Sequence, residues 1–288
     1  MSLSAKVMSE LLKFWPKLTA EECEQTLAEV RQKGEKTTPP PKLLKPRTED
    51  TENGRIFYIN EDPESKYLIF YIHGGAYRHD IVLPHWQLIE KLVRIAGAQV
   101  IVPAYRLIPF ATYREAFDLI VPLYKKYCEA CPDKKIILMG DSAGGGLSLT
   151  LAEYFKAEGI RMPDELVLLS PWIDVVMDNE EMAEYQRRDP FLSIESLSVC
   201  AKHWADDLDL HDWRVSPIYC DLKGIRNVTV FVGTAEIFYP DVVKFYHMLD
   251  EDPSNSLYVA EDMNHVFPLF PIPEAKPAVE KILEAVTR

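Results

Sequence analysis

The sequence of 288 residues has no apolar run long enough to cross a membrane as a helix. Such a helix needs roughly 20 consecutive apolar residues, and the longest apolar runs here have the length of buried strands. The N-terminus also lacks a basic region followed by an apolar stretch and a small-residue cleavage site. We therefore expect no membrane partner and a cytoplasmic location.

Positive charge is scarce. The 32 lysines and arginines are outnumbered by 45 aspartates and glutamates, which gives a formal net charge of -13. A surface this acidic repels the phosphate backbone of nucleic acids. The composition therefore excludes nucleic acid as the expected partner.

Cysteines are few and odd in number. The chain has five, which favours reduced thiols over a disulfide framework. Cys128 and Cys131 form one C-x-x-C motif, but a zinc site would need a second pair of ligands and none is evident. The motif also follows a predicted helix rather than opening one, which is unlike a redox pair. We therefore predict ordinary, partly buried thiols, with no metal and no organic cofactor.

Short apolar runs alternate with helical patterns through most of the chain. The strand-like runs include "AQVIVPAY", "KKIILMG", "ELVLLS", "VTVFVG" and "SLYVAED". Their continuous apolar character indicates burial on both faces, which is typical of a parallel sheet covered by helices. Two earlier runs, "GRIFYIN" and "KYLIFYIH", are predicted to be adjacent strands. The fold class is therefore α/β, with a mostly parallel central sheet and helices on both faces.

Two segments depart from this alternation. Residues 1–45 contain two helical patterns, the second with a Thr19-x-x-Glu22 capping box, followed by a proline-rich connector. Within the main domain, residues 46–288, a segment of about 173–215 carries helical patches but no convincing strand. We predict that these two segments form a small helical cap.

One strand is followed by a sharp turn and a helix around "GDSAGGG". Residues 140–144 match G-x-S-x-G between a predicted strand and a predicted helix, which is the context that this motif requires. Small flanking residues permit a strained turn that lifts Ser142 above the end of the strand. Ser142 is therefore the candidate nucleophile, and Asp141 is expected to support the turn.

A glycine-rich loop follows the strand "YLIFYI". In "HGGAY", consecutive backbone N–H groups can face the serine and stabilise a negatively charged oxygen. The Ala143 N–H supplies a further donor. His73 is expected to orient this loop rather than to act as a base.

The candidate base and its carboxylate come late in the chain. His265 in "MNHVF" lies in a loop after the last predicted strand, whereas the other histidines outside "HGGAY" fit solvated surface positions better. Glu236 follows the strand "VTVFVG"; Asp241 is a nearby alternative for the acid and Asp262 a weaker one. The order Ser142, Glu236, His265 is the order expected for this architecture.

Several motifs together resemble the hormone-sensitive-lipase-like group of α/β-hydrolase esterases. They occur in that group's order from about Phe70 to the C-terminus: "HGGAY", "AYRLIPF", "GDSAGGG", "SPW", "RDPF", "SPIYCDLKGI", "GTAEIFYPD" and "MNHVF".

The resemblance implies an α/β-hydrolase fold with a helical cap. It also implies a Ser142–Glu236–His265 triad and an oxyanion hole at Gly75, Ala76 and Ala143, with Gly74 as a further candidate donor.

The chain departs from the family pattern at two positions. Ala76 replaces the last glycine of His-Gly-Gly-Gly, which would strain the loop by ~1 kcal/mol or more if that position has a positive φ. Glu236 replaces the commoner aspartate, which leaves Asp241 open as the acid.

The resemblance implies a serine carboxylesterase that acts on a small-molecule ester. Tyr77, Trp172 and Phe238 are candidate pocket residues, although each also fits ordinary core packing. No long exposed apolar helix is evident in the cap, which favours short-chain esters over triglycerides. Two alternatives remain: an amidase, formamidase or peptidase with the same triad, and a non-catalytic binder of a small ligand on the same fold.

Overall fold

The computed structural model describes residues 1–288. It contains one eight-stranded sheet with the strand order β1-β2-β4-β3-β5-β6-β7-β8. The strands are β1 (Arg47–Thr51), β2 (Gly54–Ile59), β3 (Tyr67–Ile72), β4 (Gln99–Tyr105), β5 (Lys135–Asp141), β6 (Glu165–Leu169), β7 (Val228–Gly233) and β8 (Ser256–Ala260).

Nine α-helices surround the sheet. They are α1 (Leu3–Leu12), α2 (Ala20–Lys33), α3 (Leu83–Ala96), α4 (Tyr113–Ala130), α5 (Ser142–Ala157), α6 (Met182–Arg188), α7 (Ile194–Ala205), α8 (Tyr239–Met248) and α9 (Ala275–Thr287). None of them combines the length and the apolar character needed to cross a bilayer.

The strands from β4 to β8 in the sheet order pair in parallel, as the alternating pattern predicts. Two large apolar clusters lie on opposite faces of the sheet. Along β3, Leu68 and Phe70 belong to one cluster, while Ile69 and Tyr71 belong to the other. Because successive strand residues point to opposite faces, burial on both faces explains the continuous apolar runs.

The start of the sheet differs from the prediction in two ways. β2 and β3 are not adjacent, because β4 lies between them and pairs antiparallel with β2. The antiparallel edge strand β1 was not predicted at all, because its sequence "RTEDT" is polar and fully exposed. An exposed polar edge strand lacks the alternation that marks a half-buried one.

The N-terminal helices contact the segment predicted as an insertion. α2 begins with the predicted Thr19–Glu22 capping box and packs against α7. Residues 173–215 contain α6 and α7 and no strand. The assignment of these two regions to one cap remains a proposal, supported by the packing of α2 on α7.

Helix α1 has two apolar faces, which the sequence analysis did not anticipate. Ala5 is buried and Met8 is partly buried against the core. On another face, Leu3, Val7 and Leu11 are 51–79% exposed. The expectation concerned a long exposed apolar helix, and α1 has only 10 residues, so the preference for short-chain esters is not overturned.

Candidate active site

Ser142 stands at the turn between β5 and α5. Its φ of 53° lies in the left-handed region, which a side chain adopts only under strain. A Cβ at Gly140 would collide with the Gly144 carbonyl, and one at Gly144 with the carbonyls of Ile72 and His73. Both glycines are therefore required by the close approach of backbones, and the tight turn presents Ser142 above the sheet.

The Ser142 side chain is enclosed but free of internal hydrogen bonds. The residue is 8% exposed, and its carbonyl accepts a hydrogen bond from the Trp172 N–H at 2.9 Å. No protein group accepts from or donates to its hydroxyl. As the first residue of α5, it lies at the positive end of the helix dipole, where negative charge is stabilised.

His265 and Glu236 form a buried pair. His265 Nδ1 lies 2.5 Å from Glu236 Oε2, and the two residues are 2% and 0% exposed. The other carboxylate oxygen accepts from the Ser170 hydroxyl and from the Gly233 N–H, both at 2.7 Å. Because a carboxylate accepts at Nδ1, the proton of neutral His265 resides there. The unprotonated Nε2 is then available to accept a proton.

The two alternative acids lie elsewhere. Asp241, in the first turn of α8, accepts a hydrogen bond from Asn179 at 2.6 Å and makes none with His265. Burial raises the pKa of Asp241 to about 6. Asp262 is exposed at a turn, where its backbone N–H donates to Thr234. The geometry therefore favours Glu236 as the partner of His265.

Ser170 connects the Glu236 carboxylate to the loop that follows His265, a role that the sequence analysis missed. Its hydroxyl donates to Glu236 and accepts from the Val266 N–H at 3.0 Å. It therefore holds the carboxylate and the loop that follows His265 with one oxygen. Its place directly after β6, in "SPW", was the signal that could have revealed it.

Asp189 is a second missed residue. It is 2% exposed, and one of its oxygens accepts from the Ile237 N–H, directly after Glu236. Its other oxygen accepts from the N–H groups of Phe191 and Leu192. Burial raises the pKa of Asp189. Its motif, "RDPF", belongs to the predicted insertion, so the carboxylate ties that segment to the loop that carries Glu236.

The "HGGA" loop lies beside the elbow. The Gly74 N–H donates to Asp141 at 3.1 Å, which makes Gly74 an unsuitable donor to a substrate. The N–H groups of Gly75 and Ala76 have no acceptor within the chain. Ala143 is the second residue of α5, where an N–H has no partner within the helix. Three backbone donors are thus free beside Ser142.

The loop is strained where alanine replaces glycine. Ala76 has a φ of 53° and Tyr77 a φ of 59°. Because its φ is positive, Ala76 carries the strain of ~1 kcal/mol or more that is expected of a side chain in the left-handed region. The Tyr77 hydroxyl donates to the Ala143 carbonyl at 3.2 Å, which links this loop to α5.

Asp141 supports the turn and the loop together, as expected. It accepts from the Tyr71 hydroxyl at 2.8 Å, from Gly74 and from His85 Nε2 at 3.2 Å. Burial alone would raise the pKa of Asp141. The charge attraction and hydrogen bond of His85, together with the hydrogen bonds from Tyr71 and Gly74, outweigh burial and keep this pKa below its usual value.

His85 was predicted to be a solvated surface residue, and this is wrong. It is buried on α3, where its Nδ1 accepts from the Val82 N–H at 2.9 Å while its Nε2 faces Asp141. His73 orients the loop, since its Nδ1 donates to the Gly74 carbonyl at 2.8 Å. Burial lowers the pKa of His73.

The three candidate pocket residues form an aromatic row. Tyr77 stacks on Trp172 with ring centroids 5.6 Å apart, and Trp172 stacks on Phe238 at 5.9 Å. Phe238 meets the His265 ring edge to face at 5.1 Å, and Trp204 of α7 stacks on the far side of Tyr77 at 3.9 Å. The row is buried, so it forms a packed wall between the loop and the candidate base.

No three His, Cys, Asp or Glu side chains converge as metal ligands.

Comparison with known proteins finds relatives over most of the chain. A family described as alpha/beta hydrolase fold matches residues 69–269. The chain is 35% identical to an esterase of Acinetobacter venetianus, over 80% of this chain and 77% of that protein. It is 29% identical to an acetyl-hydrolase of Streptomyces hygroscopicus, over 60% of this chain and 58% of that protein.

Solved structures show the same architecture. An esterase from the bacterial hormone-sensitive lipase family superposes with a TM-score of 0.82 at 24% identity, over 100% of this chain and 98% of that one. A mutant of the esterase E40 superposes with a TM-score of 0.81 at 25% identity, over 100% and 99%. The chain is a member of the α/β-hydrolase family, and it shares the fold of the hormone-sensitive-lipase-group esterase.

Proposed function

We propose that this protein is a serine carboxylesterase that hydrolyses small esters through an acyl-enzyme. The observation that carries the proposal is the buried His265–Glu236 pair, which Trp172 links to the elbow serine. The Trp172 N–H donates to the Ser142 carbonyl, and its ring stacks on Phe238, which packs against His265. An oriented imidazole next to a serine is the arrangement that acyl transfer requires. The esterase and acetyl-hydrolase relatives support this reaction class.

In the first half of the reaction, His265 Nε2 takes the Ser142 proton as Oγ attacks the ester carbonyl. The N–H groups of Gly75, Ala76 and Ala143 hold the negative oxygen of the tetrahedral intermediate. The protonated imidazole, stabilised by Glu236, then gives its proton to the departing alcohol. In the second half, His265 activates a water that releases the acid and restores Ser142.

The enclosure of the site supports a small acyl group. Ser142 is only 8% exposed, and the aromatic row closes one side of its surroundings. A long acyl chain would need an open apolar groove that reaches the serine. The helical segments 1–45 and 173–215 are proposed as the cap that restricts this access.

The test is hydrolysis of p-nitrophenyl esters from acetate to palmitate, with wild type beside Ser142→Ala. We expect activity to peak at short chains and to fall by at least about 10⁴-fold in the variant, because the serine is the nucleophile. Circular dichroism confirms that the variant is folded. Wild-type-like turnover by Ser142→Ala would refute the mechanism.

A matched p-nitroanilide separates ester from amide hydrolysis. An alkoxide or phenoxide leaves more easily than an amine, which must be protonated as it departs. We expect the acetate ester to be cleaved much faster than the acetanilide. Comparable rates would assign the protein to the amidases instead.

A further inference from the structure

Two buried cysteines meet where α2 packs against α7. Cys23 Sγ lies 4.0 Å from Cys200 Sγ, and both residues have no exposed surface. They are 177 residues apart in sequence, so their contact depends on the docking of the N-terminal segment on the insertion. A disulfide bond is about 2.05 Å long, so the two sulfurs need to approach by about 2 Å.

A guanidinium group faces the same thiol. Arg78 Nη1 lies 3.0 Å from Cys23 Sγ, and no carboxylate lies within ion-pair distance of Arg78. Its Nε instead donates to His79 at 2.9 Å. An arginine without an acidic partner, placed against a thiol, favours the thiolate form, which is the reactive one.

The pKa of the Cys23 thiol is shifted in the direction that this arrangement predicts. The pKa of Cys23 is lowered, chiefly by its hydrogen bond with Cys200, while burial opposes this change and the positive charge of Arg78 adds to it. In contrast, burial raises the pKa of Cys128 and of Cys220. Cys23 therefore differs from those thiols in the direction of its shift.

A cavity lies next to the pair, although neither cysteine lines it. Arg78 lines a cavity of about 750 Å³ between the N-terminal segment and the ends of β2 and β4. Hydrogen peroxide is little larger than water and can enter such a space. Arg78 lies between this cavity and Cys23, so the proposal requires its side chain to move before peroxide reaches the sulfur.

We propose that Cys23 and Cys200 form a peroxide-reactive thiol pair that closes to a disulfide between α2 and α7. The Cys23 thiolate attacks one peroxide oxygen, forming an S–O bond as the O–O bond breaks and hydroxide leaves. The Cys200 sulfur then attacks the Cys23 sulfur, and the S–O bond breaks as hydroxide leaves with the Cys200 proton as water. The first hydroxide takes up the proton that the Cys23 thiol had lost, so that overall two thiols are oxidised by two electrons and peroxide is reduced to two waters.

The disulfide would act on the site through α7. Trp204 of α7 stacks on Tyr77, which follows the two free donors of the oxyanion loop. Drawing α7 toward α2 shifts this stack, and a displacement of about 1 Å at a positioning group can cost up to about 10²-fold in rate. This consequence rests on the proposed esterase function, whereas the disulfide itself does not.

The test treats the reduced full-length protein with hydrogen peroxide, followed by alkylation and peptide mapping. We expect a Cys23–Cys200 disulfide that dithiothreitol reverses. Cys200→Ser should give no such bond, and the double variant Cys128→Ser/Cys131→Ser should give it as wild type does. Absence of the Cys23–Cys200 bond in wild type, or a Cys128–Cys131 bond in its place, overturns the proposal.

Two further readouts test its parts. Arg78→Gln should slow the loss of the Cys23 thiol by about tenfold, because the thiolate loses its cation; an unchanged rate refutes the role of Arg78. Oxidation of wild type should lower p-nitrophenyl acetate hydrolysis by about tenfold or more, reversibly, while Cys200→Ser keeps its rate. A disulfide without loss of hydrolysis refutes the coupling to the site, and wild type that never hydrolyses esters refutes the proposed function separately.

Discussion

At the scale of single residues, the proposed reactivity of Ser142 depends on the proton of His265. Glu236 accepts at Nδ1 of His265 and thereby leaves Nε2 unprotonated. The carboxylate is itself held by Ser170 and by the Gly233 N–H, so it cannot swing away from the ring. The extra methylene of glutamate is therefore compatible with the tautomer that catalysis requires.

Glu236→Gln should lower kcat by roughly 10³- to 10⁴-fold, because the amide no longer fixes the imidazole or stabilises its charged form. The matched variant Asp241→Asn should keep kcat within about twofold. Steady-state hydrolysis of p-nitrophenyl acetate measures both. If Asp241→Asn were the inactive one, the acid would be misassigned.

The burial of Asp241 also leads to a prediction about how the stability of the protein depends on pH. Burial raises its pKa from 3.8 to about 6. Between these values the folded state binds more protons than the unfolded state, so the stability contribution of this group is lost as the pH rises toward and through 6. Asp241→Asn removes this cost, about 1–3 kcal/mol at pH 8.

Thermal melts test that sign. Asp241→Asn should melt roughly 2–5 °C above wild type at pH 8, and the gap should shrink as the pH falls to 4. A gap that widens toward acid would show that the aspartate is stabilising as an anion.

The sequence singled out the proposed reacting residues more readily than the residues that hold them in place. Ser142 and His265 lie in motifs whose local context can be deduced from strands, glycines and turns. Ser170 and Asp189 lie in the motifs "SPW" and "RDPF", but they act through partners 48–96 residues away, so the local sequence does not reveal what they contact. His85 was misassigned because the helical pattern places it on one face of α3 but does not reveal that this face packs against Asp141.

At the scale of elements, the loop after β3 and the elbow after β5 are packed backbone against backbone. A Cβ on Gly74 would collide with the Asp141 side chain and backbone and with the Ser142 Cβ. The close approach brings the free N–H groups of Gly75 and Ala76 beside Ser142, the proposed nucleophile. The two turns therefore behave as one unit.

Gly74→Ala should lower kcat/KM by at least about 10²-fold, since it displaces the oxyanion donors from the serine. Gly97→Ala is the control: its φ is 65°, but nothing lies within 4 Å of the added methyl group. It should cost about 1 kcal/mol of stability and leave activity unchanged. Full activity in Gly74→Ala would show that the loop does not supply these donors.

The order of elements was predicted where burial determines the pattern. β5, β6 and β7 are buried on both faces, and the sequence shows this directly, whereas the edge strand β8 is partly exposed despite its apolar sequence. The placement of β4 between β2 and β3 depends on pairing over long distances, which strand propensity does not encode. The exposed β1 has no apolar residue to mark it.

At the scale of the whole molecule, the N-terminal segment is part of the core. Leu27 of α2 is 3% exposed and belongs to the larger apolar cluster. If the segment folds together with the main domain, Leu27→Ala should lower the free energy of unfolding by about 2–5 kcal/mol.

Urea denaturation followed by tryptophan fluorescence measures this change. Leu11→Ala, at a position that is 57% exposed on α1, is the control and should change stability by less than about 0.5 kcal/mol. An unchanged midpoint in Leu27→Ala would mean that α2 detaches before the rest unfolds, and the proposed cap would then be a separate unit.

The central claim is that Ser142 is an activated nucleophile, and covalent labelling tests it most directly. A fluorophosphonate phosphonylates only a serine whose base is in place. Peptide mapping of the labelled protein should find one adduct, on Ser142, with loss of ester hydrolysis in proportion to labelling. An adduct on another residue, or an unlabelled Ser142 in folded protein, would contradict the account.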